Sequence, residues 1–166
     1  MLTFLIGFMG AGKSTLGSTL ASRLGCRFID IDTEVERQTQ RTISELFACI
    51  GEPEFRKVEQ QILFNTVKQL HEAKCDNHRT DTHPHGTVIA CGGGAPCYQN
   101  NLAFMKTNGF VIYLEVTPET LCERLLRTPA EARPLLPHRD PATLLHHIHT
   151  LLAERKPYYE AARWKC

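Results

Sequence analysis

A short apolar run at residues 2–6 leads directly into a glycine-rich loop that ends in lysine and serine. Residues 7–14 read GFMGAGKS and fit the pattern G-x-x-x-x-G-K-[ST], and residues 15–24 have the composition of a helix. The glycines of such a loop let backbone N–H groups close on phosphate oxygens that a Cβ atom would keep away. This order of strand, loop and helix predicts an α/β fold that binds a nucleoside triphosphate where a strand ends.

Two side chains of the loop have predicted roles in that site. Lys13 can reach the β- and γ-phosphates, and the hydroxyl of Ser14 can ligate Mg²⁺. The helix that follows adds the positive end of its dipole. The alternative is a glycine turn with a solvated lysine, and the flanking strand and helix argue against it.

Strands and helices alternate along the chain, which is typical of a parallel α/β sheet. Further strands are predicted at residues 27–31, 87–91 and 110–116, and helices at residues 33–40, from the capping box at 42–45 to Gly51, from Pro53 onward, and from 117 to 127. A last helix begins near Pro141 and is expected to end or kink at Pro157. Because no repeat or linker interrupts the pattern, the 166 residues are predicted to form one domain.

The composition gives no sign of a nucleic-acid or membrane partner. Lys and Arg (19) nearly balance Asp and Glu (18), and no apolar run approaches the roughly 20 residues of a membrane span. The seven cysteines are scattered without C-x-x-C spacing, which indicates reduced thiols in a cytoplasmic protein. No carboxylate or cysteine supports the eight histidines at a metal-binding spacing, so no zinc site is predicted.

Two groups of residues are candidates for binding an acceptor beside the nucleotide. Asp30 and Asp32 come where the second strand ends, at the sheet edge where open α/β sheets bind ligands. One carboxylate can hold Mg²⁺ while the other takes a proton from an acceptor hydroxyl, and a turn or helix cap is the alternative for both. Gly92, Gly93 and Gly94 follow the third strand, and such a run is costly unless another group approaches the backbone closely.

Three arginines complete the set of candidates. Arg56, Arg133 and Arg155 can pair with an anionic acceptor, since a guanidinium binds a carboxylate through two parallel hydrogen bonds. Arg133 lies in residues 128–140, a stretch with three prolines that predicts a lid. Any one of these arginines could equally be a solvated surface residue, and it is their combination with the other motifs that favours a site.

Taken together, these motifs resemble those of the shikimate kinase family, small P-loop kinases related in fold to the nucleoside monophosphate kinases. The matching segments occur in the family's order: GFMGAGKST at 7–15, FIDID at 28–32, IGEPEFRKVE at 50–59, CGGG at 91–94, RPLL at 133–136 and RKPYY at 155–159. The resemblance implies a three-layer α/β/α P-loop fold with a central parallel sheet. It also implies a substrate-binding helical region at 33–64 and a mobile lid at 128–140.

The implied activity is ATP-dependent phosphorylation of the 3-hydroxyl of shikimate, a step toward chorismate and the aromatic amino acids. The resemblance implies a cytoplasmic monomer that requires Mg²⁺. It makes Asp32 the base that also holds the ring hydroxyls, and it places the substrate carboxylate between Arg56 and Arg155. Gly92, Gly93 and Gly94 would pack against the substrate.

The resemblance also assigns the ATP site. The phosphates would be wrapped by Gly10, Ala11, Gly12, Lys13, Ser14 and Thr15. Ser14 and Asp30 would hold Mg²⁺, and Arg127 would flank the adenine. Arg133 would swing over ATP from the lid and, with Lys13, screen the charge on the transferred phosphoryl group.

The sequence departs from the family pattern at one point, and two other functions are alternatives to this interpretation. The family continues beyond the Pro-Tyr-Tyr segment into a fifth strand and a helix, so here the fifth strand is expected to be missing or barely begun. A gluconate kinase-like enzyme shares the loop but does not predict G-E-x-x-F-R together with R-P-L-L. A catalytically silent kinase-like binding module would be expected to lose the lysine, the D-x-D pair or the lid arginine, and all three are present.

Overall fold

The computed structural model describes residues 1–75, 86–127 and 140–166. Within these ranges the strands are β1 (Leu2–Ile6), β2 (Arg27–Asp30), β3 (Thr87–Ala90), β4 (Phe110–Tyr113) and β5 (Trp164–Lys165). They form one parallel sheet in the order β2-β3-β1-β4-β5. Thr3 in the central strand is in register with Val88 of β3 and Phe110 of β4. This is the predicted three-layer P-loop architecture with a central parallel sheet.

The helices of the described residues connect these strands. They are α1 (Lys13–Leu24), α2 (Ile31–Thr39), α3 (Ile43–Cys75), α4 (Asn101–Asn108), α5 (Pro118–Leu126) and α6 (Pro141–Glu160), with a short 3₁₀ turn at Ala95–Cys97. Helix α3 contains a break at Gly51 (φ 73°, ψ 169°), where the two predicted helices meet. The capping box that opens α3 is confirmed, since Glu45 accepts from the Thr42 N–H at 2.7 Å and Thr42 Oγ1 accepts from the Glu45 N–H at 3.2 Å.

The core lies on both faces of the sheet because alternate residues of a strand point to opposite sides. On one face Phe4 and Ile6 are buried in the main cluster, together with Ile89 and with the large side chains of α3 and α6. On the other face Leu5 packs with Ala21 of α1. Buried positions on both faces explain why the strands read as continuous apolar runs.

The two expectations about the end of the chain have different outcomes. The fifth strand is barely begun, as expected, because β5 has only two residues, and the Cys166 N–H donates to the Tyr113 carbonyl at 2.9 Å. Helix α6 does not end at Pro157 but continues to Glu160. Tyr159, which is fully buried, anchors this last turn and offsets the backbone hydrogen bond that proline cannot make.

Two segments lie outside the described residues. One is residues 76–85, and the other is residues 128–139, which make up most of the predicted lid and include Arg133. In the part of the chain that the structure describes, no helix has both the length and the hydrophobicity of a membrane span.

Candidate active site

The phosphate loop connects β1 to α1 and has the conformation that its glycines allow. Gly10 (φ 81°) and Gly12 (φ 92°) lie in the left-handed region that side chains with a Cβ rarely adopt, and Gly12 is the residue that precedes α1. The ammonium group of Lys13 donates to the carbonyls of Gly7 at 2.9 Å and Phe8 at 3.0 Å. The lysine therefore curls back over its own loop, at the N-terminal end of α1.

An open cleft of about 660 Å³ lies over this loop. It is lined by Gly10, Ala11, Gly12, Lys13, Ser14, Thr15, Leu16, Thr19, Asp30, Asp32, Cys91 and Arg124. The six loop residues predicted to bind ATP phosphates, and both predicted aspartates, thus face one cavity. A volume of this size is within the range of small-molecule pockets.

Asp30 joins the phosphate loop to the second strand. One carboxylate oxygen accepts from the Ser14 hydroxyl at 2.5 Å, and the other accepts from the Asp32 N–H at 3.0 Å, so that Asp30 caps α2. The helix-cap interpretation is therefore confirmed for Asp30. Its contact with Ser14 is compatible with the Mg²⁺ role, which stays a prediction. Its bond to the Asp32 backbone positions the start of α2, from which the Asp32 side chain enters the cleft.

The run of three glycines after β3 is the point where the acceptor residues meet. A Cβ atom on Gly92 would lie 2.1 Å from Glu59 Oε1 and 3.0 Å from Asp32 Oδ1. On Gly94 it would lie 2.3 Å from Arg56 Nη2, and on Gly93 it would lie 3.7 Å from Arg155 Nη1. The prediction of a close approach is correct, and charged side chains of α2 and α3 make it, while Arg155 of α6 lies at ordinary contact distance.

Arg56 is buried between two carboxylates of α3. Its guanidinium donates to Glu59 Oε2 at 2.9 Å and to Glu52 Oε1 at 2.8 Å, and it lies over the ring of Phe55. Burial lowers the pKa of Arg56, but the two glutamates outweigh it and the net shift is upward. Arg56 is therefore a fixed positive charge whose orientation is set before any ligand binds.

Glu59 was not assigned a role from the sequence, and with Glu52 it orients Arg56. Its side chain is 1% exposed, and among the described residues its Oε1 atom has no hydrogen-bond partner. Burial raises the pKa of Glu59, and the Arg56 guanidinium opposes that rise. A signal existed in the sequence, because Glu59 interrupts the apolar stripe of α3 between Phe55 and Ile62, and a carboxylate there must find a partner.

Arg155 approaches the glycines from α6. The side chain is nearly buried, its guanidinium lies 5.7 Å from the centroid of the Phe8 ring, and its Nη1 atom lacks a hydrogen-bond partner within the described residues. A buried donor without a partner is rare in folded proteins and usually has an explanation. Here the orphaned donor of Arg155 and the orphaned acceptor of Glu59 both adjoin the glycine run.

Arg124 and Arg127 have different surroundings, although Arg127 is the residue predicted to flank adenine. Arg124 lines the cleft and donates to the carbonyls of Gly10 at 3.2 Å and Ala11 at 3.3 Å. Arg127 lies elsewhere, 75% exposed and paired with Glu123 at 2.6 Å. The two positions are three residues apart near the end of α5, so the direction in which each side chain points decides which one reaches the loop.

Glu59 gives a pH-dependent prediction for stability. Because its pKa is raised in the folded state from the ordinary value of 4.5, its contribution favours folding below that pH and is lost as the pH rises through the raised value. Glu59→Gln removes this titration. We expect the difference in unfolding free energy, wild type minus variant, to fall as the pH increases above 4.5 in denaturant titrations. A difference that is flat or rises with pH would contradict the environment described for Glu59.

Comparison with known proteins identifies relatives over nearly the whole chain. The family model for shikimate kinase matches residues 9–166. The shikimate kinase of Bacteroides thetaiotaomicron is 38% identical over 162 residues, which cover 97% of this chain and 83% of the relative. That of Azobacteroides pseudotrichonymphae is 36% identical over 159 residues, covering 96% of this chain and 85% of the relative.

Solved structures give the same relationship. The crystal structure of shikimate kinase from Bacteroides thetaiotaomicron has a TM-score of 0.83 at 34% identity and covers 99% of this chain and 85% of its own. Shikimate kinase from Acinetobacter baumannii, solved in complex with shikimate, has a TM-score of 0.80 at 34% identity. The match covers 99% of this chain and 82% of that structure's chain. A gluconokinase from Sinorhizobium meliloti, at TM-score 0.56 and 18% identity, shares the fold alone.

Proposed function

The chain belongs to the shikimate kinase family, and we propose that its cleft transfers the γ-phosphoryl group of ATP to the 3-hydroxyl of shikimate. The enzyme is an ATP-dependent kinase of aromatic amino acid biosynthesis. The observation that carries the residue assignments is the glycine run. It gathers Asp32, Glu59, Arg56 and Arg155 next to the phosphate loop.

Arg56 and Arg155 bind the carboxylate of shikimate. Arg56 is already oriented by Glu52 and Glu59, so little rearrangement is needed when the ligand arrives. Arg155 has a buried donor, Nη1, that a carboxylate oxygen would satisfy. The backbone of Gly92, Gly93 and Gly94 forms the floor on which the ring lies.

Asp32 acts as the general base toward the 3-hydroxyl. Its side chain faces the nucleotide cleft and also adjoins Gly92, so it lies where the two substrates meet. Lys13 binds the β- and γ-phosphates, and Arg133, from the lid, screens the charge that develops on the transferred phosphoryl group. Closure of the lid excludes water, which prevents hydrolysis of ATP without acceptor.

Ser14 and Asp30 would hold Mg²⁺. Their oxygens lie 2.5 Å apart at the edge of the cleft, and hydroxyl and carboxylate oxygens are the ligands that this ion prefers. When bound, the ion supplies positive charge to the phosphate oxygens of ATP. We further propose that the enzyme acts as a monomer, because the described residues of one chain supply the phosphate loop, both aspartates and the two acceptor arginines. We propose that it works in the cytoplasm, in line with the six free cysteines among the described residues.

An ADP-release assay with alternative acceptors tests the proposed function. We expect ADP release that saturates with shikimate and remains at the level without acceptor when gluconate is supplied. ADP release with gluconate but not shikimate would favour the gluconate kinase-like alternative. Release with neither acceptor, from folded protein that binds ATP, would favour a silent binding module.

Arg124 and Arg127 form a matched pair for the nucleotide site. We propose that Arg124, rather than Arg127, flanks the bound nucleotide, because Arg124 is the one of these two residues that lines the cleft. Arg124→Ala is expected to raise KM for ATP about tenfold, the effect of one charge-assisted contact, and to leave KM for shikimate unchanged. Arg127→Ala, which removes the same charge three residues away, is the control and should stay close to wild type. The reverse order of effects would restore the assignment to Arg127.

A further inference from the structure

Tyr159 is a fully buried phenol whose hydroxyl lies beside the acceptor site. It is 0% exposed, and its hydroxyl donates to the carbonyl of Gly93 at 2.6 Å. The two residues are 66 positions apart in the chain, so this bond joins α6 directly to the turn after β3. Neither the motifs nor the proposed mechanism gives the hydroxyl a role.

The carbonyl that Tyr159 binds belongs to the middle glycine of the acceptor turn. The carbonyls of Gly92 and Gly94 accept from the N–H groups of Ala95 and Cys97, at 3.1 Å and 3.0 Å, within the turn itself. Gly93 is tied from outside the turn, by Tyr159. The phenol therefore fixes the orientation of the Gly93 peptide. This peptide lies between Gly92, which contacts Asp32 and Glu59, and Gly94, which contacts Arg56.

Gly93 is also the residue of the Gly92–Gly94 turn that lies against the phosphate loop. A Cβ atom there would lie 3.2 Å from the Met9 nitrogen and 3.5 Å from the Gly7 carbonyl oxygen. A small rotation of this peptide would change the spacing between the acceptor and the phosphates. Loss of about 1 Å of positioning is enough to slow transfer strongly.

The position of the hydroxyl is itself fixed by packing. The Tyr159 ring stacks on Tyr113 of β4, with centroids 5.1 Å apart and planes inclined by 23°. Arg155 lies four residues earlier on the same helix and hence on the same face. Both side chains reach Gly93, because the Tyr159 hydroxyl donates to its carbonyl and a Cβ atom on Gly93 would lie 3.7 Å from Arg155 Nη1. Burial raises the pKa of the Tyr159 phenol, and the Arg155 guanidinium opposes that rise.

We propose that Tyr159 is a positioning residue for the acceptor, which holds the Gly93 peptide in the arrangement that shikimate requires. The proposal rests on the proposed function, because that function assigns the glycine turn and the adjoining Arg155 to the acceptor. It acts through the hydroxyl alone, since the ring only packs in the core. Removing one oxygen atom therefore tests the role while the packing of the ring is kept.

Tyr159→Phe keeps the ring stack and removes the bond to Gly93, and Tyr113→Phe removes the hydroxyl of the other ring as a matched control. For Tyr159→Phe we expect KM for shikimate to rise about tenfold, as for a lost buried hydrogen bond, and KM for ATP to change less than about twofold. Tyr113→Phe should leave both within about twofold of wild type. Thermal unfolding of both variants reports any loss of packing separately.

Calorimetric titration of shikimate into the same proteins, without nucleotide, repeats the test independently of turnover. Weaker shikimate binding by Tyr159→Phe alone would support the proposal. Shikimate affinity of Tyr159→Phe equal to wild type, equal losses in both variants, or an equal rise in KM for ATP would each overturn it. Wild-type protein that binds no shikimate would overturn the proposed function as well, which distinguishes the two failures.

Discussion

Asp32→Asn is expected to lower kcat by about 10²–10⁴-fold, the range for loss of a general base, while ATP binding survives. Asparagine has nearly the same shape as aspartate but cannot take up the proton of the 3-hydroxyl. Because Asp32 faces the cleft from the first turn of α2, the substitution leaves the phosphate loop and the Asp30 cap in place. Steady-state kinetics with shikimate, together with equilibrium binding of ATP, measures both parts of this prediction.

The control for Asp32 is another carboxylate of the same helix. Glu36→Gln removes an exposed carboxylate one turn further along α2, and its side chain can still accept from the Ile43 N–H as Glu36 does at 3.0 Å. This variant should keep wild-type kcat. Retained turnover of shikimate by Asp32→Asn would remove Asp32 as the base, and equal losses in both variants would indicate damage to the helix.

Arg56→Ala is expected to weaken shikimate binding about a hundredfold, within the range for loss of one partner of a buried charge pair, and to leave ATP affinity unchanged. The guanidinium is nearly buried and oriented by two carboxylates, so alanine removes the fixed positive charge that lies against Gly94. Titration of shikimate into wild type and variant measures the effect directly. Altered ATP affinity with unaltered shikimate affinity would contradict the assigned role.

Removal of Arg56 also leaves Glu59 without its partner. An uncompensated buried charge costs about 3–5 kcal/mol of stability, so the single variant confounds binding with folding. Adding Glu59→Gln to Arg56→Ala is expected to recover part of the stability without recovering shikimate affinity. Lys57→Ala, which removes an exposed positive charge next to Arg56 in the chain, should match wild type in both measurements.

The parts of the site that could be predicted from sequence are those where the backbone itself is specialised. The glycines of residues 7–14 and 92–94 allow approaches that a Cβ would block, and this constraint is visible in residue type alone. Asp30 is the last residue of β2 and Asp32 comes two residues later, so both lie at the carboxyl edge of the parallel sheet. Both features are local, and the structure brings both to the same cleft.

The roles that the sequence did not predict depend on which way a side chain points from its helix and on its contacts with other elements. Arg124 and Arg127 have the same chemistry, and only the packing of α5 decides which one points toward Gly10. Glu59 acquires its role from the guanidinium three residues earlier and from the turn that covers it. Pro157 predicts a helix end, but the burial of Tyr159 two residues later outweighs it. Each of these depends on contacts between elements distant in sequence.

A crystal structure of the enzyme with shikimate and ADP would test the central claim most directly, namely that the Gly92–Gly94 turn assembles the acceptor site. We predict that the shikimate carboxylate lies between Arg56 and Arg155, within hydrogen-bond distance of both. We also predict that its 3-hydroxyl lies against Asp32 and is directed toward the phosphate side of the cleft. A carboxylate that contacts neither arginine, or a 3-hydroxyl remote from Asp32, would contradict the account.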